Sequence, residues 1–469
     1  MPLSPDWIDK ARAVVGGGLV LEASELEPYG RDEFALDTYS RPPLAVVRPA
    51  GVEQVAALAA LCHETGVPVT PRGGGTGLSA ACVPAEGGIV LSLERLDAVI
   101  DKDRDNHTIT VQAGLPLKKL YEEVENMGLY FPPHPGDEGA FVGGTVATNA
   151  GGARAVKYGT IRRFVTGLEA VTASGEVLRL GGKYIKSSTG YNLIDLLIGS
   201  EGTLAVITEI TLSLLPKPGA LATLIAPFAS VEEAIATVPA ILEAGIIPTA
   251  VEFVEHSVLR SSERLLNKSW PTHEGSASLM LIVDGPAEEE ILAACERIAC
   301  VLETHGALDV LVAEQKTRQA EIMEVRSMIY EALKPATLEL FDICVPRSEI
   351  VGHVKFVHEL EDKYGVSLPT YGHAADGNVH THFLRCALQD GEIGAEIPGC
   401  LKLYRQVKAE IYADAVKRGG IVSGEHGIGL TKRDYLAANL GETPVALMRA
   451  IKTALDPKGI LNPGKIFTV

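Results

Sequence analysis

Three glycine-rich strings crowd into the first 204 residues: Pro71-Arg-Gly-Gly-Gly-Thr-Gly-Leu-Ser79, Gly143-Gly-Thr-Val-Ala-Thr-Asn-Ala-Gly-Gly152 and Gly199-Ser-Glu-Gly-Thr-Leu204. A backbone without side chains lets consecutive N–H groups close on an anion as a nest, and it turns more sharply than other residues allow. Tight turns alone would account for any one string; three of them in one region point to a cofactor that carries a pyrophosphate. Gly75-Thr-Gly77-Leu-Ser-Ala80 matches the spacing of a dinucleotide fingerprint. Its context fails, because Ala81-Cys-Val-Pro84-Ala-Glu-Gly-Gly88 does not read as the helix whose N-terminus that motif uses. The phosphate-loop pattern of nucleoside triphosphatases is absent as well.

A length of 469 residues corresponds to two to four folding units at roughly 100–200 residues each. With 42 Lys and Arg against 60 Asp and Glu, the formal net charge is −18. Such a surface argues against nucleic acid as a partner, and an anionic substrate has to be drawn to a local positive site against the field of the whole molecule. The seven cysteines (Cys62, Cys82, Cys295, Cys300, Cys344, Cys386 and Cys400) are odd in number and widely spaced, with no Cys-x-x-Cys pair. That argues against a disulfide framework and against an iron–sulfur cluster held by this chain alone, so buried thiols in a reducing compartment are expected. Residues 1–20 lack the basic start and apolar run of a secretory signal, and no stretch of about 18 uncharged apolar residues occurs. The expectation is a cytoplasmic protein that reaches a membrane only through a partner.

Short β-rich runs at 44–48, 67–70, 88–92 and 108–112 alternate with helical spacing at 52–64, stopped by Gly66, and at 117–127. A hairpin is predicted over 168–180, and a long β run over 204–215 ends in Pro216-Lys-Pro218, where two prolines in three residues mark a boundary. The middle of the chain repeats strand–helix–strand, at 221–227, 231–244 and 249–254, then at 279–284, 288–304 and 308–312. The pattern predicts an α+β cap, an antiparallel sheet covered by helices on one face. The expected domains are 1–218, 219–418 and a turn-rich segment, 419–469, that packs back on the first.

Tyr371-Gly-His-Ala-Ala-Asp-Gly-Asn-Val-His-Thr-His-Phe383 places Asp-Gly between β-type residues, a strong hairpin signal. With Asp376-Gly377 as the two turn residues, His373 faces His380 on one side of the ribbon, close enough for two imidazoles to bind one metal ion. His382 follows on the same face. A third ligand has to come from elsewhere, and Gly424-Glu-His-Gly427 is the obvious supplier. Two neutral imidazoles and a carboxylate suit Zn²⁺, with Mn²⁺ and Fe²⁺ as alternatives. Asp376 and Asn378 read as turn formers.

The glycine strings, in this order with Tyr191-Asn-Leu-Ile-Asp-Leu-Leu-Ile-Gly199, closely resemble the FAD domain of the vanillyl-alcohol oxidase superfamily. Within it the likeness is to FAD-linked D-2-hydroxy-acid dehydrogenases: D-lactate dehydrogenase, D-2-hydroxyglutarate dehydrogenase and the glycolate oxidase flavin subunit. It runs through the histidine segment to Leu461-Asn-Pro-Gly464 and so covers nearly the whole chain. The resemblance implies a two-part FAD-binding domain beneath the cap. It assigns FAD contacts to Pro71, Arg72, Gly73, Gly74, Gly75, Thr76, Gly77 and Ser79, to Pro135 and Gly136, and to Gly143, Gly144, Ala147, Thr148 and Asn149. Further contacts fall on Gly151, Gly152, Ala153, Tyr158 and Gly159, on Glu201, Gly202 and Ile207 at the adenine side, and on Asn462. Ala80, Ala81 and Ala205 stand where glycine is usual, and His134 where an acidic residue is common. Relatives with covalent flavin carry a histidine in the first glycine string; here there is none, which implies non-covalent FAD.

The resemblance further implies a divalent metal on His373, His380 and Glu425, His426 as the base, and Arg326 as the clamp on a substrate carboxylate. On sequence pattern alone Arg326 reads as a solvated position on a helix over 315–333, and Lys334 and Arg347 are nearby basic alternatives. Lys334 and His382 are further candidate substrate contacts. The implied reaction is oxidation of a D-2-hydroxy acid to the 2-oxo acid, with hydride passing to flavin N5. Relatives acting on 2-hydroxyglutarate carry a lysine before an aromatic–Asp pair; here Leu340 precedes Phe341-Asp342, which favours a monocarboxylate such as D-lactate or glycolate. Electrons would pass to an electron-transfer flavoprotein, an iron–sulfur subunit, a quinone or a cytochrome, with the chain a homodimer or a subunit of a complex. The alternatives are flavin-dependent alkyl transfer of the alkyl-dihydroxyacetone-phosphate synthase type, a non-catalytic flavin subunit, or, without flavin, a metallohydrolase.

Overall fold

The computed structural model describes residues 2–468, which divide into two compact units. The first comprises the chain up to Gly151, Thr160–Lys217 and the chain from Glu425 on; the second comprises Gly152–Gly159 and Pro218–Gly424.

Two larger sheets build the first unit, beside a small pairing of Leu129–Tyr130 with Leu215–Pro216. In one, Leu19–Val20, Ala45–Val47, Ile89–Ser92 and Val69–Arg72 lie side by side, the last three parallel. Parallel neighbours need a crossover, and the helix Val52–Thr65 provides it, ending at Gly66 in the left-handed conformation (φ 69°). The other sheet is antiparallel, in the order Val99–Asp103, Thr108–Gln112, Val206–Ser213, Val165–Val171, Val177–Gly181. The predicted hairpin forms one of its edges, with Val171 opposite Val177. The opposite edge, Val99–Asp103, escapes sequence reading because three of its five residues are charged and half-buried or exposed, as suits an edge strand. Within the second glycine string, Val142–Thr148 is a short helix rather than the loop its glycines suggested.

The second unit is built on one antiparallel sheet of seven strands, in the order Leu311–Ala313, Ala220–Phe228, Ala277–Gly285, Ala250–Glu255, Thr370–His373, Asn378–Leu384, Thr337–Cys344. The duplicated strand–helix–strand pattern accounts for the first four, each parallel pair being split by an antiparallel strand. Near-continuous burial of the central strands means that both faces are covered, where a cap on one face was expected. On one face Ile225, Val254, Met280, Tyr371 and Leu384 pack with Val258, Ile322, Val325, Ile329 and Leu333 from three helices, His256–Leu266, Lys316–Ser327 and Ile329–Leu333. The helix predicted over 315–333 is therefore two, broken at Met328. Residues of opposite parity, such as Leu224, Phe253 and Leu281, are buried beneath Val231–Glu243 and Glu288–Thr304.

Besides Pro218, which opens the second unit, the division differs from the sequence boundaries in two places. Residues 419–424 stay with the second unit because Ile421 bridges to Cys344 and Gly424 N donates to Asp342 O (3.1 Å). Gly152–Gly159 also belongs there, since Lys157 Nζ donates to Asp284 O (2.9 Å) and Tyr158 OH to Asp284 Oδ2 (2.8 Å). All seven cysteines are free thiols, but only Cys62, Cys295 and Cys400 are buried; Cys82, Cys344 and Cys386 are half-buried and Cys300 is exposed. Among the described residues no helix is long and apolar enough to cross a membrane.

Candidate active site

The three glycine strings meet within the first unit. Gly199 N donates to Val146 O (3.1 Å) and Glu201 N to Ala147 O (2.8 Å), which joins the third string to the second. A Cβ on Gly202 would sit 3.1 Å from the Pro71 ring, and one on Gly73 would sit 3.4 Å from Phe141, which joins both to the first. A Cβ on Gly143 would overlap Ala113 at 2.6 Å. Among the described residues the backbone amides of Gly73, Gly74, Gly75, Thr76 and Gly77 donate to no protein acceptor. Five consecutive amides that make no bond to protein form a cradle for an anion such as a pyrophosphate. Arg72 supports this turn from beneath: its Nη1 donates to Arg31 O (2.6 Å) and its Nη2 to Pro28 O (3.3 Å), and Gly75 (φ 76°) leaves room for the guanidinium.

Several residues expected at the cofactor also bond to protein. Ser79 is buried, and its hydroxyl donates to His426 O (3.1 Å). The buried Glu201 carboxylate accepts from Ile428 N (2.7 Å) and Gly429 N (2.8 Å); burial raises its pKa above the ordinary carboxylate value. Gly427 and Gly429 allow this close approach, because a Cβ would come within 2.9 Å of Glu201 and 2.0 Å of Ser79 O respectively. The loop that carries His426 is thus gripped by two of the glycine strings. Glu425 Oε2 lies 3.0 Å from where a Cβ on Gly151 would stand. Asn462 Nδ2 donates to Glu201 O (2.7 Å) and Ala81 O (3.0 Å), stitching the C-terminal tail to the same place. Asn149 (φ 52°) accepts from Thr160 Oγ1 at 2.9 Å, Thr148 Oγ1 donates to Gly144 O at 3.1 Å, and Ile207 is buried in its strand. Pro135 and Gly136 precede a turn that Asp137 closes on Gly139 N (2.7 Å). Tyr158, Gly152, Ala153 and Gly159 lie in the segment held by the second unit.

In the second unit the histidine hairpin has a different register from the predicted one. His373 pairs with Asn378 and Tyr371 with His380, so Ala374–Gly377 form a four-residue loop. Gly377 is left-handed (φ 94°), a Cβ there would lie 2.1 Å from Val345 O, and its own carbonyl accepts from Val345 N (3.0 Å). The neighbouring strand therefore sets the wider loop. His373 and His380 become diagonal rather than opposed neighbours, yet they keep the same face, and diagonal neighbours are within reach of ring side chains. Their Nε2 atoms are 3.4 Å apart with the rings near perpendicular (89°), and both residues are buried. Two nitrogens bound at about 2.0–2.1 Å to one tetrahedral ion stand about 3.3 Å apart, so the pair fits a shared cation.

Sheet register surrounds this pair with acids. Glu252 lies opposite His373 and Asp342 opposite His380. Glu252 Oε1 accepts from His373 Nδ1 (2.5 Å) and its Oε2 from Arg326 Nη2 (2.5 Å). Burial alone would raise the Glu252 pKa, but His373 and Arg326 beside it hold it below the ordinary value. The Arg326 guanidinium also lies over the Tyr371 ring, 4.6 Å from its centroid. The solvated position is thus ruled out for Arg326. Asp342 accepts from Asn378 Nδ2 (2.8 Å) and Ser423 Oγ (2.9 Å), so Asn378 is more than a turn former. The chain runs on from Ser423 and Gly424 directly into Glu425 and His426. Sequence reasoning missed Glu252; its signal was a single acid inside the apolar run Ala250–Val254. His382 is fully buried, with Nδ1 2.8 Å from Thr337 Oγ1 and Nε2 3.1 Å from Tyr371 OH. Lys334 is partly exposed and stands 3.7 Å from Glu331.

A family model described as "FAD linked oxidases, C-terminal domain" matches residues 217–466, and one described as "FAD binding domain" matches residues 43–181. Over 460 residues the chain is 40% identical to a D-lactate dehydrogenase of Archaeoglobus fulgidus, covering 98% of this chain and 99% of that protein. It is 37% identical over 445 residues to glycolate oxidase subunit GlcD of Bacillus subtilis, covering 93% and 92%. In fold it is similar to substrate-bound p-cresol methylhydroxylase (TM-score 0.80, 19% identity, 99% of this chain and 96% of that one). It is likewise similar to alkyldihydroxyacetonephosphate synthase (TM-score 0.74, 19% identity, 99% and 86%). The amide cradle and the two matched regions agree on FAD as the cofactor, and the chain belongs to the FAD-linked 2-hydroxy-acid dehydrogenase family of flavin-dependent oxidoreductases.

Proposed function

We propose that the chain oxidises a D-2-hydroxy monocarboxylate of the D-lactate or glycolate type to the 2-oxo acid, with FAD bound non-covalently and a divalent cation on His373, His380 and Glu425. The observation that carries this reading is the buried His373–His380 pair with its 3.4 Å Nε2 separation, in a chain whose relatives include D-lactate dehydrogenases. Two imidazoles and a carboxylate suit Zn²⁺, and Mn²⁺ or Fe²⁺ accept the same donors. When bound, FAD supplies the hydride acceptor and the cation the Lewis acid that makes the substrate hydroxyl more acidic.

The chain's own residues do the rest. Arg326 binds the substrate carboxylate, and its planar fork fixes orientation as well as contributing energy. His426 takes the hydroxyl proton on a ring nitrogen, as a neutral imidazole can. Leu340 sits two residues before Asp342 on the same strand face and offers no charge for a second carboxylate. Electrons leave for an external acceptor: an electron-transfer flavoprotein, an iron–sulfur partner, a quinone or a cytochrome. Similarity to a protein named as a subunit of glycolate oxidase favours work within a complex over a free homodimer.

Anaerobic titration with D-lactate, glycolate and D-2-hydroxyglutarate, followed at the flavin absorbance, tests the reading. Bleaching by D-lactate or glycolate is expected. A yellow protein inert to all three points to a transferase or an accessory subunit, and preference for D-2-hydroxyglutarate defeats the Leu340 argument. Acid precipitation should release the flavin into solution.

A further inference from the structure

We propose that Glu252 is a positioning residue that ties the metal-facing imidazole of His373 to the substrate-facing guanidinium of Arg326; this rests on the function proposed above. The three residues come from distant parts of the chain: Glu252 from the strand Ala250–Glu255, His373 from its sheet neighbour Thr370–His373, and Arg326 from the helix Lys316–Ser327. Each carboxylate oxygen of Glu252 has one partner, His373 Nδ1 on Oε1 and Arg326 Nη2 on Oε2. The Glu252 side chain is 1% exposed and the other two are 10% and 11% exposed, so water does not compete for these bonds.

An ionised carboxylate only accepts. Its bond to Nδ1 therefore puts the imidazole proton there and leaves the His373 Nε2 lone pair directed at the Nε2 of His380. The same anion fixes the end of Arg326 whose Nε is buried without an acceptor among the described residues. That donor is left for an anionic ligand. One side chain thus sets the tautomer of a metal ligand and the aim of a carboxylate clamp, and its loss should be felt at both sites together.

Glu252→Gln keeps the shape but cannot serve both partners, because the amide oxygen accepts from one donor while the NH₂ group faces the other. The purified flavoprotein and this variant would be compared for Zn²⁺ affinity by competition with a chromophoric chelator, for KM with D-lactate, and for flavin content. We expect Zn²⁺ to be held about tenfold or more weakly and KM to rise, with flavin content unchanged. In an Arg326→Lys background the KM effect of Glu252→Gln should shrink. Zn²⁺ affinity and KM both within twofold of native would overturn the proposal. If Glu252→Gln does not fold, Arg326→Gln reads the link from the other end: weaker Zn²⁺ binding supports it, and unchanged binding overturns it. A native protein that binds Zn²⁺ and is bleached by hydroxy acids confines any such failure to Glu252. A native protein that does neither fails the functional reading itself, and the proposal with it.

Discussion

His382 and Asp32 carry ordinary titratable groups whose surroundings decide what they do. With both ring nitrogens of His382 held by Thr337 and Tyr371, its work is to satisfy two buried hydroxyls. His382→Phe removes both of these bonds, leaving Thr337 Oγ1 with Leu333 O (2.9 Å), and should lower stability by about 1–3 kcal/mol in urea unfolding, with Zn²⁺ affinity within twofold of native. A large loss of Zn²⁺ affinity would instead give His382 a part in holding the metal. Asp32 lies under the first glycine string, with Oδ2 buried and without a partner among the described residues, and burial pushes its carboxyl from 3.8 up to about 7. The folded state therefore keeps a proton that the unfolded chain releases, so the sign is fixed: this site loses stability as pH rises from about 4 to 7. Asp32→Asn removes that slope, and above pH 7 its Tm should exceed the native value by on the order of 2–4 °C, with little difference near pH 4. Parallel Tm–pH curves for the two proteins would refute the assignment.

Elements show where turn chemistry yields to packing. Asp376-Gly377 favours a two-residue turn, but the carbonyl of Val345, just past the end of the next strand, occupies the space a Cβ at Gly377 would need, and the loop widens to four residues. Gly377→Ala should therefore cost roughly 1–3 kcal/mol and weaken Zn²⁺ binding through the shifted hairpin; a neutral effect would mean the loop relaxes freely. The face on which His373 and His380 meet was legible all the same. Parity along a strand survives a change of pairing by two residues, whereas the opposition of two particular residues does not. The loop Glu425–Gly429 is a second case. Its sequence offered a metal ligand and a base, while the structure also uses its glycines to admit Ser79 and Glu201. Glu201→Gln exchanges one amide acceptor for a donor and should slow turnover on D-lactate at least tenfold with FAD still bound. Loss of FAD with native turnover per remaining flavin would place Glu201 at the cofactor instead.

For the whole molecule, the proposed FAD and the proposed cation draw on different residues: the amide cradle is residues 73–77, and the cation ligands are His373, His380 and Glu425. Chelation should strip the cation while leaving flavin bound, abolish bleaching by hydroxy acid, and be reversed by added Zn²⁺; flavin released in step with the metal would contradict this. The glycine strings, the histidine spacing and the charge balance lie within short stretches of chain, so they are readable one residue after another. They determined the cofactor class, the family and the face on which the imidazoles gather. The roles of Glu252 and Arg326 are not readable in that way. Their bonds span 74 and 121 positions along the chain, and only the strand order of the seven-stranded sheet and the helix laid over it bring those donors to one carboxylate. Local spacing is written in sequence, but the partner of a buried charge is chosen by which elements become neighbours.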